Sequence, residues 1–476
     1  MKFSVRFNNL MQIALPFKRE YIFLLLAVVV VGLFAGLMGF KAVLAVIGLC
    51  LLVFAFFLSP QQLFLIWLFV TPFSQTRVIP LGANIPDITL DRVLFLLLAV
   101  KLGLKAFNNK FRGSRLELED GMLLAFLAWA LFSVLFWRRG DLSGQLVALF
   151  QQFLYPIGFY WMVQQVVRKE ADLKQIFLAV SILLVVLCAP VLVEEIGGVT
   201  PLGEPAQVVN NVIRVRSFLN APWEFGAVVA MLLLYGLHYL TYPSGQKFQA
   251  LSWLGAALGG LGIVFCFMRG AWLAAFVSVF LFFVMDKSLR RYLYLIVPLA
   301  IGAAILWAPS LTASAVWEER ITGVGNILTR LKTSSLQIAS ILQEPLFGNG
   351  LMPAFKVYDT GVISHNTVLS MFVDFGLFAL LYFGAIGVIL FRAISGYRRF
   401  PGRSFLNRGL VLSLGSAALA FLINAGTFEN RLFIFVSAFF WVTLGLIKVA
   451  IRLNGQRNAL ASVSPAASNG NGGGDS

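Results

Sequence analysis

One histidine and three arginines in this sequence could bind and transfer a phosphate-activated group. His365 stands between a polar passage and an apolar helix, where an imidazole can exchange a proton near neutral pH. Arg269 interrupts a long apolar stretch, and Arg214 and Arg216 precede another. Guanidinium groups suit phosphate or pyrophosphate, because their planar donor fork engages two oxygens and stays charged. These residue types indicate transfer from a phosphate-activated donor to an alcohol, with arginines stabilising the pyrophosphate and the imidazole taking the hydroxyl proton.

Each of these residues also has a simpler interpretation. A histidine at a membrane boundary can be an ordinary interfacial residue, and a lone arginine can extend to lipid phosphates. Arg214 and Arg216 alternate along the chain, so in an extended segment one can face a site while the other contacts headgroups. The choice between Arg214 and Arg216 stays open. So does the choice between His365 as a base and His365 as a positioning group.

The composition identifies the elements that must position these residues. Hydrophobic residues make up 59% of the chain, charged residues 12%, and the mean hydropathy is +0.86. Many apolar runs approach or exceed the roughly 20 residues that cross a bilayer as a helix. The sequence therefore predicts an all-α, polytopic protein with the lipid bilayer as a partner. The net charge of +16 lies mostly in short loops, which indicates membrane topology and not nucleic-acid binding.

The apolar runs predict about twelve to fourteen spans, the lower number applying if short early runs merge or re-enter the membrane. They fall near residues 21–38, 43–58, 63–73, 93–104, 122–137, 146–167, 176–193, 225–240, 251–268, 271–285, 292–307, 367–391, 409–425 and 432–451. We expect residues 1–457 to form one transmembrane domain. Between the eleventh and twelfth spans, residues 309–366 predict a large outside loop with amphipathic helices. Residues 458–476, rich in Ser, Asn and Gly, predict a disordered tail.

The distribution of Lys and Arg predicts the orientation. Basic residues collect at 105–115, 168–174, 287–291 and 398–408, which places both termini in the cytoplasm. The apolar stretch Leu251 to Met285 is too long for one helix, so it predicts a hairpin with Arg269 at its outer tip. His365 then also lies outside, behind a tight turn indicated by Gly348 and Gly350.

Three short motifs resemble the O-antigen ligase and polymerase superfamily of bacterial membrane glycosyltransferases. They are Arg216–Pro222 (RSFLNAP), Met268–Ala271 (MRGA), and Pro345–Gly350 (PLFGNG) followed by His365 and Asn366. The resemblance implies a multi-pass inner-membrane enzyme that acts on the periplasmic face, without metal or another cofactor. It implies a donor glycan linked to undecaprenyl pyrophosphate and a glycan or lipid A-core acceptor.

Carried over to this sequence, the resemblance assigns a role to each matched position. Arg216 and Arg269 hold the pyrophosphate, and His365 orients or deprotonates the acceptor. Asn220 and Asn366, together with Arg214 as the rival of Arg216, contact the substrates.

Several activities share this scaffold. Members of the superfamily ligate O-antigen to lipid A-core, polymerise O-antigen or exopolysaccharide repeat units, or transfer oligosaccharides to proteins. A transporter or flippase for lipid-linked sugars is an alternative from another class, and it would require charged or broken helices near the membrane midplane. Of these activities, we expect a ligase or polymerase. The sequence does not indicate how many copies of the chain associate.

Overall fold

Helices form almost all of the structure, a computed structural model that describes residues 56–74, 89–107, 116–136, 141–209, 212–294, 325–351, 365–400 and 404–463. Within these ranges, 8 helical segments are long and apolar enough to cross a membrane, and Arg269–Met285 is apolar but shorter. The chain is therefore an all-α, multi-pass membrane protein, as the sequence predicts. The 8 segments are Leu118–Phe136, Leu142–Val166, Glu170–Gly197, Pro222–Leu240, Gln246–Phe265, Thr367–Arg399, Arg408–Ala425 and Ile434–Leu460.

The described helices are numbered here in chain order. They are α1 (Pro60–Ser74), α2 (Leu90–Phe107), α3 (Leu118–Phe136), α4 (Leu142–Leu149), α5 (Tyr155–Val166), α6 (Glu170–Cys188), α7 (Val191–Gly197), α8 (Pro222–Leu237), α9 (Gln246–Phe265), α10 (Arg269–Met285), α11 (Gly325–Gln343), α12 (Thr367–Phe375), α13 (Ala379–Gly396), α14 (Arg408–Ala425) and α15 (Ile434–Val463). A π-helical turn, Phe150–Leu154, joins α4 to α5. The strands β1 (Gln207–Val209) and β2 (Val212–Arg214) form an antiparallel ribbon.

The chain divides into two compact units, Met1–Leu63 and Phe64–Ser476. In the first unit the structure describes residues 56–63. There Ser59 and Gln62 form reciprocal backbone-to-side-chain hydrogen bonds of 2.8 and 3.2 Å, which is the arrangement of a helix capping box. These bonds satisfy backbone N–H groups at the first turn of α1 that have no partner within the helix.

Most predicted spans coincide with a helix. The exceptions are 21–38, 43–58 and 292–307, which lie wholly or mostly outside the described residues, so the predicted total of spans stays a prediction. The span predicted over 251–268 is wrong at its end, because α9 stops at Phe265 and a turn follows. The tail predicted from residue 458 is wrong at its start, because α15 continues to Val463. Residues 456–463 contain several good helix formers and no Gly or Pro, which favours that continuation.

Helices α8 and α15 form the centre of the larger unit. Helix α8 packs against α6, α9, α10 and α14, while α15 packs against α5, α13 and α14. In each of the two, 89% of the apolar span is buried. At Gly226 in α8, a β-carbon would overlap Ala271 of α10, so the absence of a side chain lets the two helices approach closely. This contact fixes the start of α10, which is where Arg269 lies.

Candidate active site

Arg269 is the first residue of α10. The structure confirms the break predicted at this residue, because α9 ends at Phe265 and α10 begins at Arg269. The turn before it places Phe267 at φ 49°, in the left-handed region, which ends α9. The indole N–H of Trp272 donates to the carbonyl of Ile263 at 2.6 Å and closes the turn. A β-carbon at Gly270 would collide with the side chain of Thr427, so the tip lies directly against the connection between α14 and α15.

The motif Pro345–Gly350 forms a clamp on the far end of α12. Gly348 and Gly350 have φ values of 72° and 87°, as expected for the turn that the sequence predicts. The N–H groups of Asn349 and Gly350 donate to the carbonyls of Val373 and Asp374 at 2.7 and 2.9 Å. A β-carbon at Gly348 would lie 2.5 Å from the backbone nitrogen of Gly376. The clamp therefore fixes the helix whose opposite end carries His365.

His365 lies just before α12, against the connection between α14 and α15. Asn366 caps the helix, since its Oδ1 accepts the N–H of Leu369 at 3.0 Å. The Thr367 hydroxyl donates to the carbonyl of Phe428 at 2.9 Å. The His365 ring lies 6.0 Å from the Phe428 ring, centre to centre. Its Nδ1 is buried and has no hydrogen-bond partner among the described residues.

Arg330 of α11 lies at the same connection as Gly270 and His365, and the sequence analysis did not predict it. Its Nη1 donates to the carbonyl of Thr427 at 3.2 Å, on the connection that Gly270 also touches. Burial lowers the pKa of Arg330, and the charge of nearby Arg269 lowers it further. The same Arg330 charge acts on His365. Arg269, Arg330 and His365 are called the arginine–histidine group below.

A signal for Arg330 does exist in the sequence of α11. Polar residues recur along one helix face, at Arg330, Thr333, Gln337 and Ser340. The last three are 3%, 2% and 9% exposed, so this polar face is the one that packs on the protein. The amide of Gln337 donates to the Ser370 hydroxyl at 3.2 Å, which joins α11 to α12. The apolar face of this helix predicts that it is amphipathic, whereas its polar face is the one that carries Arg330.

The surroundings keep the His365 imidazole neutral. Burial lowers its pKa below the ordinary value of 6.5, the positive charge of Arg330 lowers it further, and Glu429 acts in the opposite direction. A group with a lowered pKa stays deprotonated down to a lower pH than usual. The imidazole is therefore in the form that accepts a proton at neutral pH.

A buried ion cluster links α12 to the connection between α14 and α15, beside the arginine–histidine group. Arg431 is 3% exposed and contacts two carboxylates, Glu429 and Asp374, each at 2.8 Å. Its guanidinium also lies 5.8 Å from the centre of the Phe153 ring. Asp374 belongs to α12, so its pair with Arg431 is a structural interaction within the bundle. The cluster ties α12 to the connection that contacts Gly270, Arg330 and His365.

An Arg431→Met variant tests this support. Glu429 and Asp374 are 0% and 4% exposed, so removing the cation leaves two buried carboxylates without their partner. We expect a loss of about 3–5 kcal/mol in the free energy of unfolding, measured by denaturation in detergent micelles. Arg392→Met is the matched control, because Lys448 also contacts the buried partner of Arg392, Glu119, at 3.0 Å. Equal losses in the two variants would contradict the proposed role of Arg431.

Arg216 is held in a separate ion pair. Its guanidinium donates to Glu204 at 2.8 Å and to the carbonyls of Asn220 and Pro205 at 3.1 and 3.3 Å. In the part of the chain that the structure describes, none of its hydrogen bonds joins it to the arginine–histidine group. Arg330 interacts electrostatically with both Arg269 and His365, which are two of the three residues predicted as catalytic. The catalytic role of Arg216 stays a prediction.

The other predicted substrate contacts have structural partners. Arg214 lies opposite Gln207 in the ribbon and is 7% exposed. The backbone N–H of Asn220 donates to Glu224 at 3.2 Å, and Asn366 caps α12 as described. A backbone hydrogen bond of 3.1 Å from Val215 to Phe265 attaches this segment to the end of α9. The roles of Arg214, Asn220 and Asn366 toward a substrate stay predictions.

No protein-family model matches the sequence, and no curated protein matches it. Among solved structures, the chain is similar to a chain of a structure described as the structural coordination of polymerization and crosslinking by a peptidoglycan synthase complex. The identity is 15%, the match covers 71% of this chain and 98% of that chain, and the TM-score is 0.39. A score of this size does not establish a shared fold. The resemblance to the O-antigen superfamily stays a prediction from three short motifs.

Proposed function

We propose that this protein is a glycosyltransferase that moves a glycan from undecaprenyl pyrophosphate to an acceptor hydroxyl, on the face of the membrane predicted to be periplasmic. The observation that supports this proposal is the arginine–histidine group. It combines two guanidinium groups with a neutral imidazole whose Nδ1 has no hydrogen-bond partner among the described residues. The group lies where spans begin and end, which is where the pyrophosphate of a membrane-anchored donor would lie.

The proposed reaction uses each member of the group for one task. The acceptor oxygen forms a bond to the anomeric carbon of the donor glycan while the bond from that carbon to the pyrophosphate oxygen breaks. The bonding electrons leave with the pyrophosphate, and Arg269 and Arg330 stabilise its developing negative charge. His365 takes the proton of the acceptor hydroxyl. The two guanidinium groups supply the positive charge that the leaving group needs, which supports the metal-independent mechanism that the resemblance implies.

Arg269 has a further advantage for this role. It is the first residue of α10, and the free N–H groups of a helix N-terminus favour a negative group nearby. A pyrophosphate at this position would meet the guanidinium and the helix end together. The polar face of α11 covers the same connection, which limits the water that would otherwise compete as acceptor.

Transfer by the purified full chain tests the proposal. The donor is an undecaprenyl-pyrophosphate-linked glycan, core lipid A and a second donor molecule are offered as competing acceptors, and EDTA is present. Glycosylated core lipid A identifies a ligase, and a ladder of longer lipid-linked chains identifies a polymerase. If neither forms and a protein acceptor is glycosylated, the chain is an oligosaccharyltransferase. Movement of intact donor across a liposome membrane without transfer would overturn the proposal in favour of a transporter.

An Arg330→Gln variant tests the coupling between Arg330 and His365. The charge of Arg330 lowers the His365 pKa, so its removal raises that pKa. We expect the acidic limb of the pH–rate profile to move to higher pH, and the maximal rate to fall roughly 10- to 100-fold. Lys332→Gln, at an exposed position two residues further along the same helix, is the matched control and keeps the wild-type profile. A lower rate with no movement of the acidic limb would show that Arg330 does not act on His365.

A further inference from the structure

An apolar groove opens between α10, α13 and α14, at the end of α10 opposite to Arg269. Its volume is about 250 Å³, and its walls include Met285, Ile394, Tyr397 and Gly415. Met285 and Ile394 are 48% and 72% exposed, so the groove opens sideways onto the surface that faces lipid. Pockets that enclose small molecules measure roughly 300–1,000 Å³. This groove therefore has room for part of an alkyl chain whose remainder stays in the bilayer.

Three exposed arginines, Arg290, Arg398 and Arg408, lie beside residues at one end of the groove. The Arg408 guanidinium lies 5.8 Å from the centre of the Tyr397 ring, and its Nη2 donates to the carbonyl of Arg398 at 3.4 Å. Arg290 donates through Nε and Nη2 to the carbonyl of Val284, the residue before Met285, at 3.2 and 2.8 Å. Among the described residues, no carboxylate forms an ion pair with any of the three arginines.

Among the described residues one carboxylate, Asp286, lies at this end of α10, and a single negative charge does not cancel three positive ones. Asp286 acts electrostatically on Tyr397, as Arg408 does. Its Oδ1 accepts the backbone N–H of Ser288 at 2.9 Å and also the Ser288 hydroxyl. The mouth of the groove therefore keeps an excess of positive charge. The sequence predicts that this side of the membrane is cytoplasmic, where arginines are expected to collect.

We propose that this groove binds one anionic phospholipid, with an acyl chain between α13 and α14 and the headgroup phosphate on Arg398 and Arg408. Basic pockets between spanning helices bind anionic headgroups, and the arginine fork matches two phosphate oxygens. The apolar walls and the basic mouth together fit an amphiphile that carries a negative charge next to its acyl chains. This site lies apart from the arginine–histidine group and does not depend on the proposed transfer reaction.

Native mass spectrometry of the full chain tests the site, using phosphatidylglycerol and phosphatidylcholine with identical acyl chains. We expect one phosphatidylglycerol to be retained with roughly tenfold or greater preference, since each arginine near a membrane surface contributes several-fold to anion binding. The double variant Arg398→Gln/Arg408→Gln loses the preference. Arg168→Gln keeps it, because Arg168 is an exposed arginine of the same predicted membrane side that lies outside the groove.

A pair of glycine variants tests the acyl-chain half of the site. A β-carbon at Gly415 meets open space, so Gly415→Leu fills the groove without a clash at its own position and should abolish retention of phosphatidylglycerol. Gly387→Leu is the matched control on α13, since Gly387 also has open space and does not line the groove. Equal retention of the two lipids by the wild type would overturn the proposal. Unchanged retention by Gly415→Leu, or a second copy of the chain in the groove, would also overturn it.

Discussion

Glycan transfer falls by about 10²- to 10⁴-fold when His365 is replaced by alanine, because the acceptor hydroxyl loses the group that takes its proton. The imidazole is suited to this task in two respects. Its Nδ1 has no hydrogen-bond partner among the described residues, and burial and Arg330 lower its pKa so that it is neutral at pH 7. The rate is measured with saturating donor and acceptor, so that the difference reports the chemical step.

A His365→Gln variant separates a base from a positioning group. Glutamine can hold a hydroxyl by a hydrogen bond, yet it cannot take a proton at neutral pH. We expect His365→Gln to be as inactive as His365→Ala, with both variants inserted in the membrane and unfolding at the wild-type temperature. In the wild type, activity is retained below pH 6.5 and lost as the pH falls through the lowered pKa of His365. If His365→Gln kept the wild-type rate, His365 would orient the acceptor and another group would take the proton.

The second large effect is expected at Arg269, where replacement by alanine lowers transfer by about 10²- to 10³-fold. The guanidinium is proposed to stabilise the pyrophosphate as its bond to the glycan breaks. Arg269→Lys should recover only a small part of the rate. A lysine keeps the positive charge at the helix N-terminus but does not engage two phosphate oxygens in the same plane.

Inhibition by the released undecaprenyl pyrophosphate distinguishes this role from a structural one. The Arg269→Ala variant should bind this product more weakly than the wild type, whereas a variant that had lost only acceptor activation would bind it unchanged. Arg291→Ala, an exposed arginine beyond the other end of α10, is the control and should leave both rate and inhibition as they are. Wild-type product binding by Arg269→Ala would refute the assignment of Arg269 to the pyrophosphate.

The sequence allowed the scaffold and the tip of the hairpin to be predicted, because both depend on local chemistry. A long apolar run must form helices in a bilayer, and a charged residue with a glycine is where such a run can break. This reasoning located Arg269 at the start of α10. In the same way, Gly348 and Gly350 predicted a turn without any knowledge of its partner, since only positive φ was needed.

The rest of the group depends on tertiary contacts that no local pattern reveals. Arg330 belongs to the group because α11 lies with its polar face on the connection between α14 and α15. The pairing of Arg431 with Asp374 joins positions far apart in the chain, and Glu429 acts on His365 through the same fold. Arg216 shows the opposite case. Its motif predicts a donor contact, which stays a prediction, and its guanidinium pairs with Glu204, a partner that no local pattern indicated.

The exposed apolar face of α11 has a practical consequence for biochemistry on this protein. Leu331, Ile338 and Leu342 are 61%, 49% and 74% exposed, while the opposite face of the helix carries Arg330. Lipid is the natural cover for those side chains, so a short-chain detergent that strips it away weakens the docking of the whole helix. Such extraction conditions then displace Arg330 from the arginine–histidine group without any change in sequence. Lipid nanodiscs, which keep that cover in place, are accordingly the preparation in which catalytic rates of different variants can be compared.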